Sequence, residues 1–181
     1  MAKCKVDIQW DFYIGLAVAV LLLPVKWLAA WCAAVFLHEA FHFIAVKFLG
    51  GEVNVIRLRA FGASMETGPL SSGKEAIAAI AGPFCGILVI PFIKYIPRIC
   101  VCVITQSAFN LIPLLPMDGG RVVKCFFKSS RAFSLFQKTI LTIAALAGFY
   151  GCIRIWFGPA PLLLVGLLYL RNRKILLHSE P

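Results

Sequence analysis

Charge is what this sequence lacks most. Only 14% of its 181 residues are Asp, Glu, Lys or Arg, just eight of them acidic, and 61% are hydrophobic with a mean hydropathy of +0.89. A soluble domain of this size needs far more polar surface, so the membrane class is expected. Histidine is scarcer still, with three residues. A metal-binding transporter or sensor is the alternative from another class, and its path would carry further His, Asp or Glu along several segments, of which this chain has few. The seven cysteines (4, 32, 85, 100, 102, 125 and 152) are odd in number, lack zinc-knuckle spacing and lie mostly inside apolar runs. They read as small buried thiols. No internal repeat or low-complexity tract is visible, and the apolar stretch after Lys3 and Lys5 lacks a small-residue cleavage pattern, so it is expected to be retained.

What is present is a series of apolar runs: about Phe12 to Val25, Trp27 to Leu49, Glu75 to Ile93, Ile99 to Leu115, Phe133 to Phe157, and Pro159 to Leu170. A membrane helix needs ~20 such residues. These runs predict an all-α polytopic membrane protein of about six transmembrane helices in one domain, residues 1–181. Its core lies at about 27–121, and 12–25, 133–157 and 159–170 are accessory helices. Between the second and third runs, Val53 to Ala60 alternates apolar residues with Asn54, Arg57 and Arg59, reaches Gly62, and is followed by Met65 to Thr67. That pattern predicts a small β-hairpin at the cytoplasmic interface.

The net charge of +10 comes from 18 basic residues lying mostly between the apolar runs. With the N-terminus inside, fourteen of the eighteen fall on the cytoplasmic side; Lys26, Lys94, Arg98 and Arg154 fall outside. The positive-inside rule therefore puts both termini in the cytoplasm, and membrane lipid rather than nucleic acid is the expected basic-residue partner.

The second run is interrupted by His38-Glu39-Ala40-Phe41-His42. Histidines at i and i+4 share one helical face and can bind one tetrahedral Zn²⁺, while Glu39, about 100° round the helix, can reach a water at the metal. An ionisable residue at mid-bilayer costs ~2.5–3.5 kcal/mol unless paired or metal-bound, which weighs against two idle core histidines. A third ligand is required. His178 lies in the charged tail, whereas Asp118 follows Asn110-Leu111-Ile112-Pro113-Leu114-Leu115-Pro116-Met117 and precedes Gly119-Gly120. The prolines interrupt helical hydrogen bonding and the glycines admit unusual backbone angles, so this stretch can unwind and turn a carboxylate toward a neighbouring helix. Glu66 and Glu75 are the candidates if the architecture is different. His42 lies seven residues, roughly 10 Å, from the inner end of its segment, and Asp118 near the inner end of the fourth.

These residues resemble a known family, the site-2 proteases. His38-Glu39-x-x-His42 and Asn110-x-x-Pro113-x-x-Pro116-x-Asp118-Gly119 are similar to its two signatures in order, and Ala81-Gly82-Pro83 resembles the helix between them. At the position where that pattern carries an Asn after its Gly-Pro, this chain has Cys85 or Gly86. The resemblance covers about Trp27 to Arg121. It implies an intramembrane zinc metalloendopeptidase with one Zn²⁺ on His38, His42 and Asp118 and with Glu39 as general base. Asn110 is expected to serve the oxyanion or to anchor an extended substrate. Ile56 to Glu66 looks most like the sporulation-type branch, stage IV sporulation protein FB, whose substrate is a membrane-associated sigma-factor precursor. The expected partners are lipids, such a substrate and regulatory membrane proteins. No nucleotide-sensing domain is expected.

Overall fold

In the computed structural model, residues 5–59, 62–154 and 165–170 are described, for residues 151–154 the backbone alone. They form two compact units, divided after Leu111.

The first unit begins with strand β1 (Lys5–Ile8), helix α1 (Trp10–Leu22) and helix α2 (Val25–Phe48). Pro24 precedes the first residue of α2, where a missing N–H costs nothing. The far end is closed by glycine: Gly50 takes φ +76°, its N–H donates to Lys47 O at 3.0 Å, and Gly51 N–H donates to Val46 O at 2.9 Å. This pair of bonds satisfies carbonyls the helix leaves open, and only a residue tolerant of left-handed backbone makes it cheaply.

Strands β2 (Val53–Arg59) and β3 (Gly62–Thr67) then pair antiparallel, as their alternation predicts. The turn residues 60 and 61, including the expected hairpin end at Ala60, lie outside the described residues. A third strand was not anticipated: β1 pairs parallel with β2, Lys5 opposite Val55 through Ile8 opposite Leu58, giving the order β1-β2-β3. Arg57 ties the sheet together, with Nε 3.6 Å from Asp7 Oδ2 on β1 and a guanidinium hydrogen bond to Glu66 on β3. The inner face rests on Val46, Val53 and Ala78, with Phe43, Leu49, Ile56, Met65 and Leu70 around them.

Helices α3 (Ser72–Leu88) and α4 (Pro97–Asn110) flank a single 3-10 turn at Ile90–Phe92 and pack with α2 and each other. Small residues line the contact: Ala34, Cys85 and Cys100 are fully buried beside Val89 and Val103. Helix association within a bilayer depends on such close approach, since apolar side chains gain little by leaving lipid. Gly86 shows how close it is, because a Cβ there would stand 2.6 Å from Ser107 Oγ. The Asn of the family pattern therefore has no room at Gly86.

The second unit holds the irregular segment 112–117, helix α5 (Asp118–Phe126), helix α6 (Ser130–Arg154) and helical residues 165–170. Leu114, Leu141 and Leu168 form its core.

Among the described residues, three helical stretches are long and apolar enough to cross a membrane: Val25–Phe48, Ser72–Phe92 and Ser130–Tyr150. This is a mostly helical membrane protein with a small sheet. Two more of the six expected segments are shorter helices among the described residues. Helix α1 has 13 residues and α4 has 14, about 20 Å each, because Leu23-Pro24 ends one and the proline-bearing segment after Asn110 ends the other. Half of the sixth expected segment, residues 159–164, together with Lys3, Lys174 and His178, lies outside the described residues.

Candidate metal centre

The buried stripe of α2 runs Ala30, Ala34, His38, His42 and Val46, one residue every four. The histidines therefore face the helix packing, 2% and 6% exposed, while Glu39 turns to a different side. Two neighbouring features of α3 hold His42. Its Nδ1–H donates to the Ala78 carbonyl at 2.7 Å, and Gly82 leaves the space its ring fills. A Cβ on Gly82 would lie 2.1 Å from His42 Nε2. The Ala78 bond fixes the tautomer, leaving the Nε2 lone pair for another partner, the arrangement found where outer hydrogen bonds orient metal-binding histidines.

His42 Nε2 lies 3.2 Å from His38 Nε2, and Asn110 Nδ2 donates to His38 Nε2 at 3.3 Å. Two nitrogens bound to one tetrahedral zinc at ~2.0–2.1 Å stand about 3.3–3.4 Å apart. With Asn110 donating to the His38 ring and Ala78 accepting from the His42 ring, both Nε2 atoms are unprotonated, the form that binds a cation.

Asp118 opens α5, where the positive end of the helix favours a carboxylate. It is 8% exposed, and its Oδ1 lies 3.6 Å from Arg121 Nη1. His38 and His42 in the first unit and Asp118 in the second are each buried. The alternative carboxylates are elsewhere: Glu66 is half-exposed on β3 in its ion pair with Arg57, and Glu75 lies in the first turn of α3.

Glu39 lines an apolar cavity of about 620 Å³ between α1, α2 and the sheet. Phe12, Trp31, Phe36, Phe43 and Met65 form much of its wall, and Glu39 and Arg59 are its charged residues. Sequence reasoning missed this cavity, the Ala78 carbonyl and the role of Gly82; the Ala81-Gly82-Pro83 run was the available signal for the last.

A helical core carries the two histidines, a small sheet packs against it, and a proline-broken segment leads to an aspartate. The solved structure of a Site-2 Protease from Methanocaldococcus jannaschii is similar over 97% of this chain and 92% of that one, with a TM-score of 0.68 and 19% sequence identity. The two chains share a fold. No family model matches this sequence. No curated protein matches it either.

Proposed function

We propose that this chain is an intramembrane zinc metalloendopeptidase whose metal is held by His38, His42 and Asp118, and the observation that carries the proposal is the buried His38–His42 pair, with Nε2 atoms 3.2 Å apart, on the shared fold. The donor set fits zinc: two neutral imidazole nitrogens and a carboxylate leave a fourth position open, as in hydrolytic zinc sites. Zinc held there would supply Lewis acidity, lowering the pKa of water and polarising a scissile carbonyl.

The chain's own residues do the rest. Glu39, one residue after the first histidine and facing the cavity, takes the proton of the attacking water and returns it to the leaving nitrogen. Asn110, hydrogen-bonded to His38, sits where its amide can donate to the developing oxyanion or hold an extended substrate backbone. The apolar cavity beside Glu39 suits the side chains of a segment drawn from the bilayer, and it excludes competing water.

The substrate class to test first is the membrane-associated pro-sequence of a sigma-factor precursor, on the strength of the Ile56 to Glu66 resemblance to the sporulation-type branch. Both termini are placed in the cytoplasm by the basic-residue asymmetry, and cleavage falls near that face. The test is co-expression with tagged single-pass candidates, native protein against Glu39→Gln. The expected result is cleavage by the native protein only, with equal zinc content in both. Cleavage by Glu39→Gln at the native rate would rule out the mechanism.

A further inference from the structure

Helix α6 is apolar, yet it carries Gln137 at 1% exposure. A buried amide without partners costs on the order of 2–7 kcal/mol, so its hydrogen bonds show what it is for. Both ends are used, and both on the same short segment: Leu115 N–H donates to Gln137 Oε1 at 3.0 Å, and Gln137 Nε2 donates to the Pro113 carbonyl at 3.0 Å. Residues i and i+2 of an irregular stretch are thus pinned by one side chain, much as a neighbouring strand would pin them. The segment needs this from outside, because Pro113 and Pro116 have no N–H to give. Leu114, between the two bonds, inserts into the Leu141 and Leu168 core, and Leu141 lies one turn along α6 from Gln137. From the other side α5 closes on the segment, where a Cβ on Gly120 would come within 2.3 Å of Leu114 C and 2.4 Å of Leu115 N. Asp118 is three residues beyond Leu115.

We infer that Gln137 is a positioning residue for Asp118, fixing the path of Pro113 to Leu115 so that the carboxylate is delivered in the geometry a metal requires. This rests on the metal-centre reading above. Outer groups that orient metal ligands are typically worth 10- to 100-fold in affinity.

The test uses the full chain in detergent, with Zn²⁺ as the probe and its dissociation constant read by competition against a fluorescent chelator. Gln137→Met removes both bonds at similar volume, and Gln137→Glu keeps the acceptor for Leu115 while setting an oxygen against Pro113 O. The expected loss is about 10- to 100-fold for Gln137→Met and smaller for Gln137→Glu. Ser134→Ala, one turn earlier on α6 and equally buried, leaves affinity unchanged.

A cycle with Asp118→Ala separates positioning from general packing: Gln137→Met should cost nothing more once Asp118 is gone. Native zinc affinity in both folded Gln137 variants, losses that add fully to that of Asp118→Ala, or failure of both variants to fold would each overturn the inference. Absence of stoichiometric zinc in the native protein would instead refute the metal centre itself.

Discussion

Replacing Gly82 with alanine probes the histidine site without touching a ligand. The added methyl would stand 2.1 Å from His42 Nε2, 2.5 Å from Cε1 and 2.7 Å from Cδ2. Carbon contacts are comfortable at about 3.5 Å and beyond, so the ring would have to retreat by roughly 1.4 Å, or α3 move away by as much. Either movement stretches the 2.7 Å bond from Nδ1 to the Ala78 carbonyl past useful length. Either also takes Nε2 well outside the ~0.2 Å tolerance of a zinc bond. Overpacking alone costs about 1–3 kcal/mol of stability. The larger effect is on the metal: effective loss of one of three ligands should weaken zinc binding by at least ~100-fold, about 2.7 kcal/mol. Metal content after dialysis, chelator competition and thermal unfolding measure the two effects separately. Gly73→Ala, also in α3 but with no atom within 4 Å of the new Cβ, is the matched control. It should leave zinc unchanged and stabilise the fold by roughly 0.4–1 kcal/mol. A Gly82→Ala protein with native zinc affinity would show that His42 does not occupy that space when metal binds.

His38→Ala, His42→Ala and Asp118→Ala should each lower zinc occupancy together with proteolysis; normal occupancy in Asp118→Ala with loss in Glu66→Ala or Glu75→Ala would move the third ligand. Gly120→Ala should impair zinc binding through the Leu114–Leu115 backbone it would strike, and a native dissociation constant would show that α5 can shift without cost. An impermeant amine reagent outside intact cells should label Lys94 and spare Lys3 and Lys174 until lysis, with substrate cuts mapped by mass spectrometry to the cytoplasmic third of the substrate's membrane segment. Labelled termini or cuts at the opposite face would overturn the topology.

What could be read in the sequence was whatever lies within one turn or one strand. Two histidines four apart on an apolar run fall on one helical face whatever surrounds them, and the structure buries both there. The alternation of Val53 to Arg59 carries the same kind of local certainty. The Lys5-Val6-Asp7-Ile8 alternation was equally regular, but four residues beside an apolar run carry too weak a period to be separated from the helix that follows. Helix ends were harder. The run from Ile99 to Leu115 is apolar throughout most of its length, yet α4 stops at Asn110, because Pro113 denies a donor to the preceding turn and excludes helix from the residue before it.

Hydrogen-bond partners separated by tens of residues were not legible. The sequence has three glutamines, and composition cannot rank them. Gln9 bonds locally to Asp7 at 2.7 Å. Gln106 lies among the polar residues of α4, and its buried Oε1 accepts no hydrogen bond among the described residues. Gln137 is the one that holds backbone at both ends, 22 and 24 residues away. Glycine divides the same way: Gly73 faces open space and Gly82 faces an imidazole, though each is a glycine within the same helix. In a bundle whose helices touch through alanine, glycine and cysteine, the space beside a small residue belongs to the neighbouring helix. Its function is therefore set by the partner. A pair of ligands can be found by spacing along one helix, but the shell that orients it is distributed over helices that spacing does not connect.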